Sequence, residues 1–216
     1  MTGRVFGVDE AGKGPVLGSM FAAAVVADPD SLPAGVDDSK CLPPDLRETI
    51  AVDLRAADDV AVGVAEIPTA EIDDPATDMN TLTVEAHARA LAQVAEDGLA
   101  GVVDAGDTSE ERFAARVTER VPVDVDLAAE HGADESHVVV GAASIVAKVA
   151  RDAHVARLAD EYDADLGSGY PSDPATKTFL DGYVAEHGAL PDCARASWAT
   201  SEKALARAEQ AGLGDF

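Results

Sequence analysis

Two adjacent carboxylates, Asp9 and Glu10, close an apolar run holding Val5, Phe6 and Val8, and Gly12-Lys13-Gly14 follows at once. Carboxylate oxygens are hard ligands of the kind that Mg²⁺ and Mn²⁺ take. Glycines let a backbone come close to a phosphate with its N–H groups turned toward it. The run therefore points to a divalent-metal site beside a phosphodiester cradle. Successive residues of a regular strand face opposite ways. Asp9 and Glu10 can share one site only if the strand ends there, and the glycines make that turn possible. Two further acids stand in comparable places. Asp104 ends the apolar segment Val102-Val103, and Asp134 lies just ahead of the strongest helical pattern. Asp107 competes for the role of Asp104, because Ala105-Gly106 can turn the chain either way. Acids at the ends of neighbouring strands can hold two cations about 3.5–4 Å apart, which activates a water and stabilises the leaving oxygen of a phosphoryl displacement.

The elements that must carry these acids read as mixed α and β. Strands are expected at residues 4–9, 20–26, 59–67, 101–104 and 123–127. Pro43 and Pro44 open a helix through Ala56, and a second helix covers 80–95 with Asn80 as its N-cap. Thr108-Ser109-Glu110-Glu111 has capping-box spacing for a third. The strongest helix covers 142–162, where Ala142, Ile145, Val149, Ala153 and Ala156 line one face. Ser144, Lys148 and Arg151 fall opposite that stripe, as ordinary polar decoration or as phosphate contacts. The loop Gly167-Ser168-Gly169-Tyr170-Pro171 breaks the chain, and helices follow at 174–186 and 197–211. Strands early and helices late predict an α/β fold, a sheet core with a helical C-terminal part packed onto it. The expected division is a catalytic domain over 1–170 and a helical region over 171–216.

The formal net charge of the 216 residues is −25 and the pI is near 4.2, the opposite of the basic footprint that nucleic-acid proteins usually carry. Either the partner is not a nucleic acid, or the protein works in very high salt. At about 1 M salt the Debye length is only about 3 Å, so an acidic surface costs little self-repulsion and stays hydrated. Three of the five lysines, Lys13, Lys40 and Lys148, lie in motif-like segments, which favours the second account. Cys41 and Cys193 are far apart and read as free thiols. No apolar run reaches the roughly 18 residues of a membrane span. Nothing at the N-terminus resembles a leader, so the expected compartment is the cytoplasm. The histidines, His87, His131, His137, His154 and His187, show no ligand spacing and are expected to be structural or exposed; Trp198 is expected in the core.

Several segments, in order along nearly the whole chain, resemble the archaeal form of type 2 ribonuclease H (ribonuclease HII). They are Gly7-Val8-Asp9-Glu10-Ala11-Gly12-Lys13-Gly14-Pro15, Asp38-Ser39-Lys40, Val103-Asp104, Ala133-Asp134, the run from Gly141 to Asp152, and Gly167-Ser168-Gly169-Tyr170-Pro171. The resemblance implies a ribonuclease H-like mixed sheet flanked by helices. It implies Asp9, Glu10, Asp104 and Asp134 as catalytic ligands of two Mg²⁺ or Mn²⁺ ions. It implies hydrolysis of the RNA strand of RNA–DNA hybrids and incision at single ribonucleotides in duplex DNA, by a monomer. By matching position, Gly12, Lys13 and Gly14 would hold the junction and sense the ribose 2′-OH, and Tyr170 would pack on the following sugar. Lys40, Ser144 and Lys148 would contact substrate. Cys41 and His137-Val138 depart from the usual pattern. The C-terminal Gln210, Leu213 and Phe216 resemble a peptide that binds the replication sliding clamp, with the two apolar side chains in a pocket. Two rival readings are another two-metal nuclease of the same fold and a non-catalytic module that binds hybrids or the clamp.

Overall fold

The computed structural model describes residues 3–36 and 42–213, the last three as backbone alone. Lys40, Cys41 and Phe216, and the side chain of Leu213, lie outside the described residues. The strands are β1 (Val5–Ala11), β2 (Met20–Ala27), β3 (Ala61–Ile67), β4 (Leu99–Asp104) and β5 (Val125–Glu130). The α-helices are α1 (Pro44–Ala56), α2 (Thr69–Ile72), α3 (Met79–Leu91), α4 (Glu110–Thr118), α5 (Ala133–Ser136), α6 (Val138–Tyr162), α7 (Pro174–His187) and α8 (Ala199–Leu213). One mixed sheet has the order β3-β2-β1-β4-β5. β1 runs antiparallel to β2 and parallel to β4, and β4 runs parallel to β5.

The chain divides into two compact units. The first holds the described residues of Met1–Ala11, Phe21–Glu66 and Met79–Arg151, and the second those of Gly12–Met20, Ile67–Asp78 and Asp152–Phe216. The core of the first unit is built from small side chains: Ala23, Val25 and Ala27 of β2 and Ala142, Ala143, Val146 and Ala147 of α6, with Ile50 and Leu54 of α1 beside them. Small residues let backbones come close, and β1 shows how close. A Cβ on Gly7 would run into the backbone of Val139 and Val140, so α6 rests directly on β1 two residues before Asp9. The second unit packs Leu17, Leu166, Leu180 and Val184 into a core of its own. Its segment around Leu17 is stitched to Ala194 by a β-bridge, and the amide of Arg195 donates to the carbonyl of Val16 at 2.8 Å.

Four expectations change. β1 does not end at Asp9: Glu10 and Ala11 keep antiparallel partners in Ala22 and Phe21. The second helix begins at Met79, so Asn80 lies inside its first turn and does not cap it. The cap of α4 is Ser109, whose hydroxyl accepts from the Arg112 amide at 3.3 Å. The stripe expected on the long helix fails in its second half, where Ala153 and Ala156 are exposed and Leu158, Ala159 and Tyr162 turn inward. Alanine buries too little area to decide a face against leucine and tyrosine. No helix among the described residues is long and apolar enough to cross a membrane.

Candidate active site

In the first unit, strand geometry puts Asp9 and Glu10 on opposite sides of the sheet. Asp9 lies on the α6 side, where its carboxyl is buried and hydrogen-bonded to Ser144. Glu10 lies on the α3 side, where its Oε2 is 2.7 Å from Nε2 of His87. Their carboxylates meet nonetheless. The β1–β4 ladder stops at Val8↔Val103, so both acids stand beyond it and can reach round the strand toward Asp104, the last residue of β4. Asp9, Glu10 and Asp104 each offer an oxygen within 4.8 Å of the other two. The expected turn at Asp9 is therefore not what brings the pair together; the end of the neighbouring ladder is.

The cluster is electrostatically costly as it stands. Burial raises the Asp9 carboxyl from its ordinary value to about 7, the Glu10 charge adds to the rise, and the Ser144 hydrogen bond opposes both. Asp104 is raised too, first by burial and then by Glu10 and Asp134, against an amide hydrogen bond from Ala133 at 2.8 Å. Asp9 and Asp104, hard oxygen donors that resist ionisation beside a third acid, make a set that a divalent cation would fit and neutralise. Asp134, on α5, is buried and its charge is felt at Asp104, but it is not among the three acids within 4.8 Å. Lys148 donates from Nζ to Ser144 Oγ at 2.7 Å, and Ser144 in turn meets Asp9. Ser144 is fully buried on a stretch of α6 buried all round from Val139 to Ala147, not on an open polar face.

Asp107 is engaged elsewhere. Arg112 grips both its oxygens, Nε donating to Oδ2 at 3.0 Å, and the Thr108 amide donates at 2.6 Å. The Arg112 hydrogen bonds hold the Asp107 carboxyl down to about 2. It anchors the start of α4 and leaves the clustered position to Asp104. A hollow of about 500 Å³ opens at the other end of β1 and β4, lined by Val5, Phe6, Ala100, Val102 and Val138, but it is mostly apolar and holds no acid cluster.

In the second unit, Gly12 takes φ of 90°, a left-handed conformation that favours glycine and opens the Gly12-Lys13-Gly14 turn. Two residues beside the site were not assigned to it from the sequence, and one of them is here. Arg195 is completely buried, its guanidinium donating to the carbonyls of Gly18 (2.9 Å), Lys13 (3.0 Å) and Gly12. Trp198 is half-buried rather than central; the Arg195 guanidinium lies 4.9 Å from its ring centre, and its Nε1 donates to Gly14 at 3.4 Å. Tyr170 is 44% exposed, and its ring lies beside Gly14. The second, His87, expected to be structural or exposed, is buried in the first unit. Neither carries a local motif; a histidine among the inward positions of α3 was the available signal.

Residues 6–201 match the family described as Ribonuclease HII. The chain is 63% identical to the Ribonuclease HII of the halophilic archaeon Halobacterium salinarum over 98% of its own length and 99% of that protein. Among solved structures it resembles ribonuclease H2 from Pyrococcus horikoshii OT3 with a TM-score of 0.87 and 36% identity, covering 96% of this chain and 99% of that one. It also resembles the PCNA:RNase HII complex from Archaeoglobus fulgidus, with a TM-score of 0.81 and 35% identity, covering 92% and 95%.

Proposed function

The chain belongs to the ribonuclease HII family and is a metal-dependent endoribonuclease acting on RNA–DNA hybrids, and on that basis we propose how its residues do this work. Asp9, Glu10, Asp104 and Asp134 hold the divalent ions, Mg²⁺ or Mn²⁺. The observation that carries the assignment is the convergence of three buried or half-buried acids from the ends of β1 and β4. Bound there, two such ions would supply an activated water and a Lewis acid for the departing oxygen. The chain does the rest. Ser144 and the Ala133 amide fix Asp9 and Asp104 by hydrogen bonds. The Gly12-Lys13-Gly14 backbone, braced by Arg195, offers N–H groups to a phosphate and to a ribose 2′-OH. The exposed Tyr170 ring packs on a sugar, and Lys40 adds a phosphate contact. All four acids come from one chain, so a monomer suffices. A substrate made by replication and transcription places the enzyme with the genome, in the cytoplasm.

The attack falls on the 5′ side of a ribonucleotide, in long hybrids and at single ribonucleotides in DNA, and leaves 3′-OH and 5′-phosphate ends. Product analysis tests this: a polymerase should extend the upstream fragment directly, and a 3′-phosphate that blocks extension would contradict it. The acidic surface suits strong salt, in keeping with the halophilic relatives.

A second partner is supported by a separate observation. The C-terminal Gln210, Leu213 and Phe216 have the spacing of a clamp-binding peptide, and one similar structure is a complex with PCNA. Removing residues 212–216 should abolish binding to the sliding clamp and leave cleavage of short duplexes intact. Undiminished clamp binding would place the contact elsewhere.

A further inference from the structure

Glu10 is held by a residue that no motif points to. His87 of α3 is fully buried, with Nε2 2.7 Å from Glu10 Oε2. Its ring meets Phe113 of α4 edge-on, with centroids 5.2 Å apart and planes at 86°. Its other nitrogen, Nδ1, is buried with no hydrogen-bond partner. These contacts fix the roles. An ionised carboxylate only accepts, so Nε2 carries the hydrogen and donates it to Glu10. A ring needed only to fill the space against Phe113 would be better as phenylalanine, since the orphan Nδ1 costs stability for no packing gain. The histidine is explained by its bond to Glu10.

Glu10 needs such a bond more than its neighbours do. It stands on the α3 side of β1 and must turn its carboxylate back toward Asp9 and Asp104. A glutamate has one more side-chain torsion than an aspartate, and holding it in one rotamer costs entropy. We propose that His87 is a positioning residue: its Nε2–H fixes the rotation of the Glu10 carboxylate so that the three acids present one ready-made set of oxygens to a divalent cation. The proposal rests on the reading of these acids as metal ligands. Groups that hydrogen-bond metal ligands typically contribute about 10–100-fold to metal affinity or activity.

Titration calorimetry of Mn²⁺ into the metal-depleted full chain tests this with the unchanged protein, His87→Phe and His87→Gln. Phenylalanine keeps the edge contact with Phe113 and removes the donor. Glutamine keeps an N–H at a reach close to that of Nε2. The expected result is a loss of Mn²⁺ affinity of about tenfold or more in H87F, with most of it restored in H87Q. In cleavage assays kcat should fall in H87F and KM for the duplex should hold. His87→Leu serves as the donor-free variant if H87F does not fold. Full Mn²⁺ affinity in a folded donor-free variant overturns the proposal, as does H87Q binding no better than H87F. No Mn²⁺ binding by the unchanged protein is a distinct outcome, which overturns the metal-ligand reading itself and the proposal with it.

Discussion

Asp104→Asn gives a folded protein that cleaves hybrids roughly a thousandfold more slowly, a loss of about 4 kcal/mol of the several that a metal centre contributes to the transition state. The amide keeps the shape of the carboxylate and its hydrogen bond from Ala133, but loses the negative charge that Asp104 would bring, with Asp9 and Glu10, to a cation. Asp107→Asn is the matched control. It weakens the Arg112 clamp at the start of α4 and leaves the cluster whole, so cleavage should stay within a few-fold of normal. A slow Asp107→Asn beside a normal Asp104→Asn would reverse the assignment.

The same variant carries a pH signature in metal-free solution. The Asp9 carboxyl rises to about 7 in the folded chain, so its contribution to stability is complete below the ordinary carboxylate range and disappears as pH climbs through about 7. Asp104 is one cause of that rise. Removing its charge lowers the Asp9 carboxyl, so D104N should lose less stability than the unchanged protein between pH 5 and pH 8. Adding Mn²⁺ at pH 8 should stabilise the unchanged protein more than the variant.

Arg195→Met should have the largest effect on the fold. The guanidinium is completely buried and satisfies three carbonyls, those of Gly12, Lys13 and Gly18. Methionine fills much of the volume but leaves all three without this donor, at a cost of about 1–3 kcal/mol for each buried acceptor left unpaired. For a chain of this length that lowers the melting temperature by roughly 10 °C. Lysine rescues little, because one ammonium cannot span the planar fork of contacts. Cleavage should fall as well, since the freed carbonyls loosen the Gly12-Lys13-Gly14 turn. A melting temperature within a degree or two of the unchanged protein would show that the turn holds its own shape.

The acids and the turn were legible because their chemistry is written locally. Asp9 and Glu10 end an apolar run, Asp104 ends another, and glycine and lysine follow the first pair. The order of strands and helices was legible for the same reason, with most boundaries within a few residues. What the sequence hid depends on distance in space. His87 meets Glu10 across 77 positions, and Arg195 reaches Gly12 across 183. A buried histidine and a buried arginine look like surface residues until their partners are known. Asp104 and Asp107 could not be separated by spacing alone; the Arg112 fork separates them. The meeting of Asp9 and Glu10 was expected from the wrong cause, because where the β1–β4 ladder ends is a property of β4 as much as of β1. Alanine-rich α6 misled the face assignment, since a stripe of methyl groups carries little directional information.

Cleavage of a labelled DNA duplex containing one ribonucleotide, with Mn²⁺ or Mg²⁺, at low and at molar salt, tests the proposed activity and its dependence on the 2′-OH together. A single cut immediately 5′ of the ribonucleotide, absent from an all-DNA duplex of the same sequence and absent with chelator, is the predicted result. Equal cutting of the all-DNA duplex, or no cutting at any salt by protein shown to be folded, would contradict it.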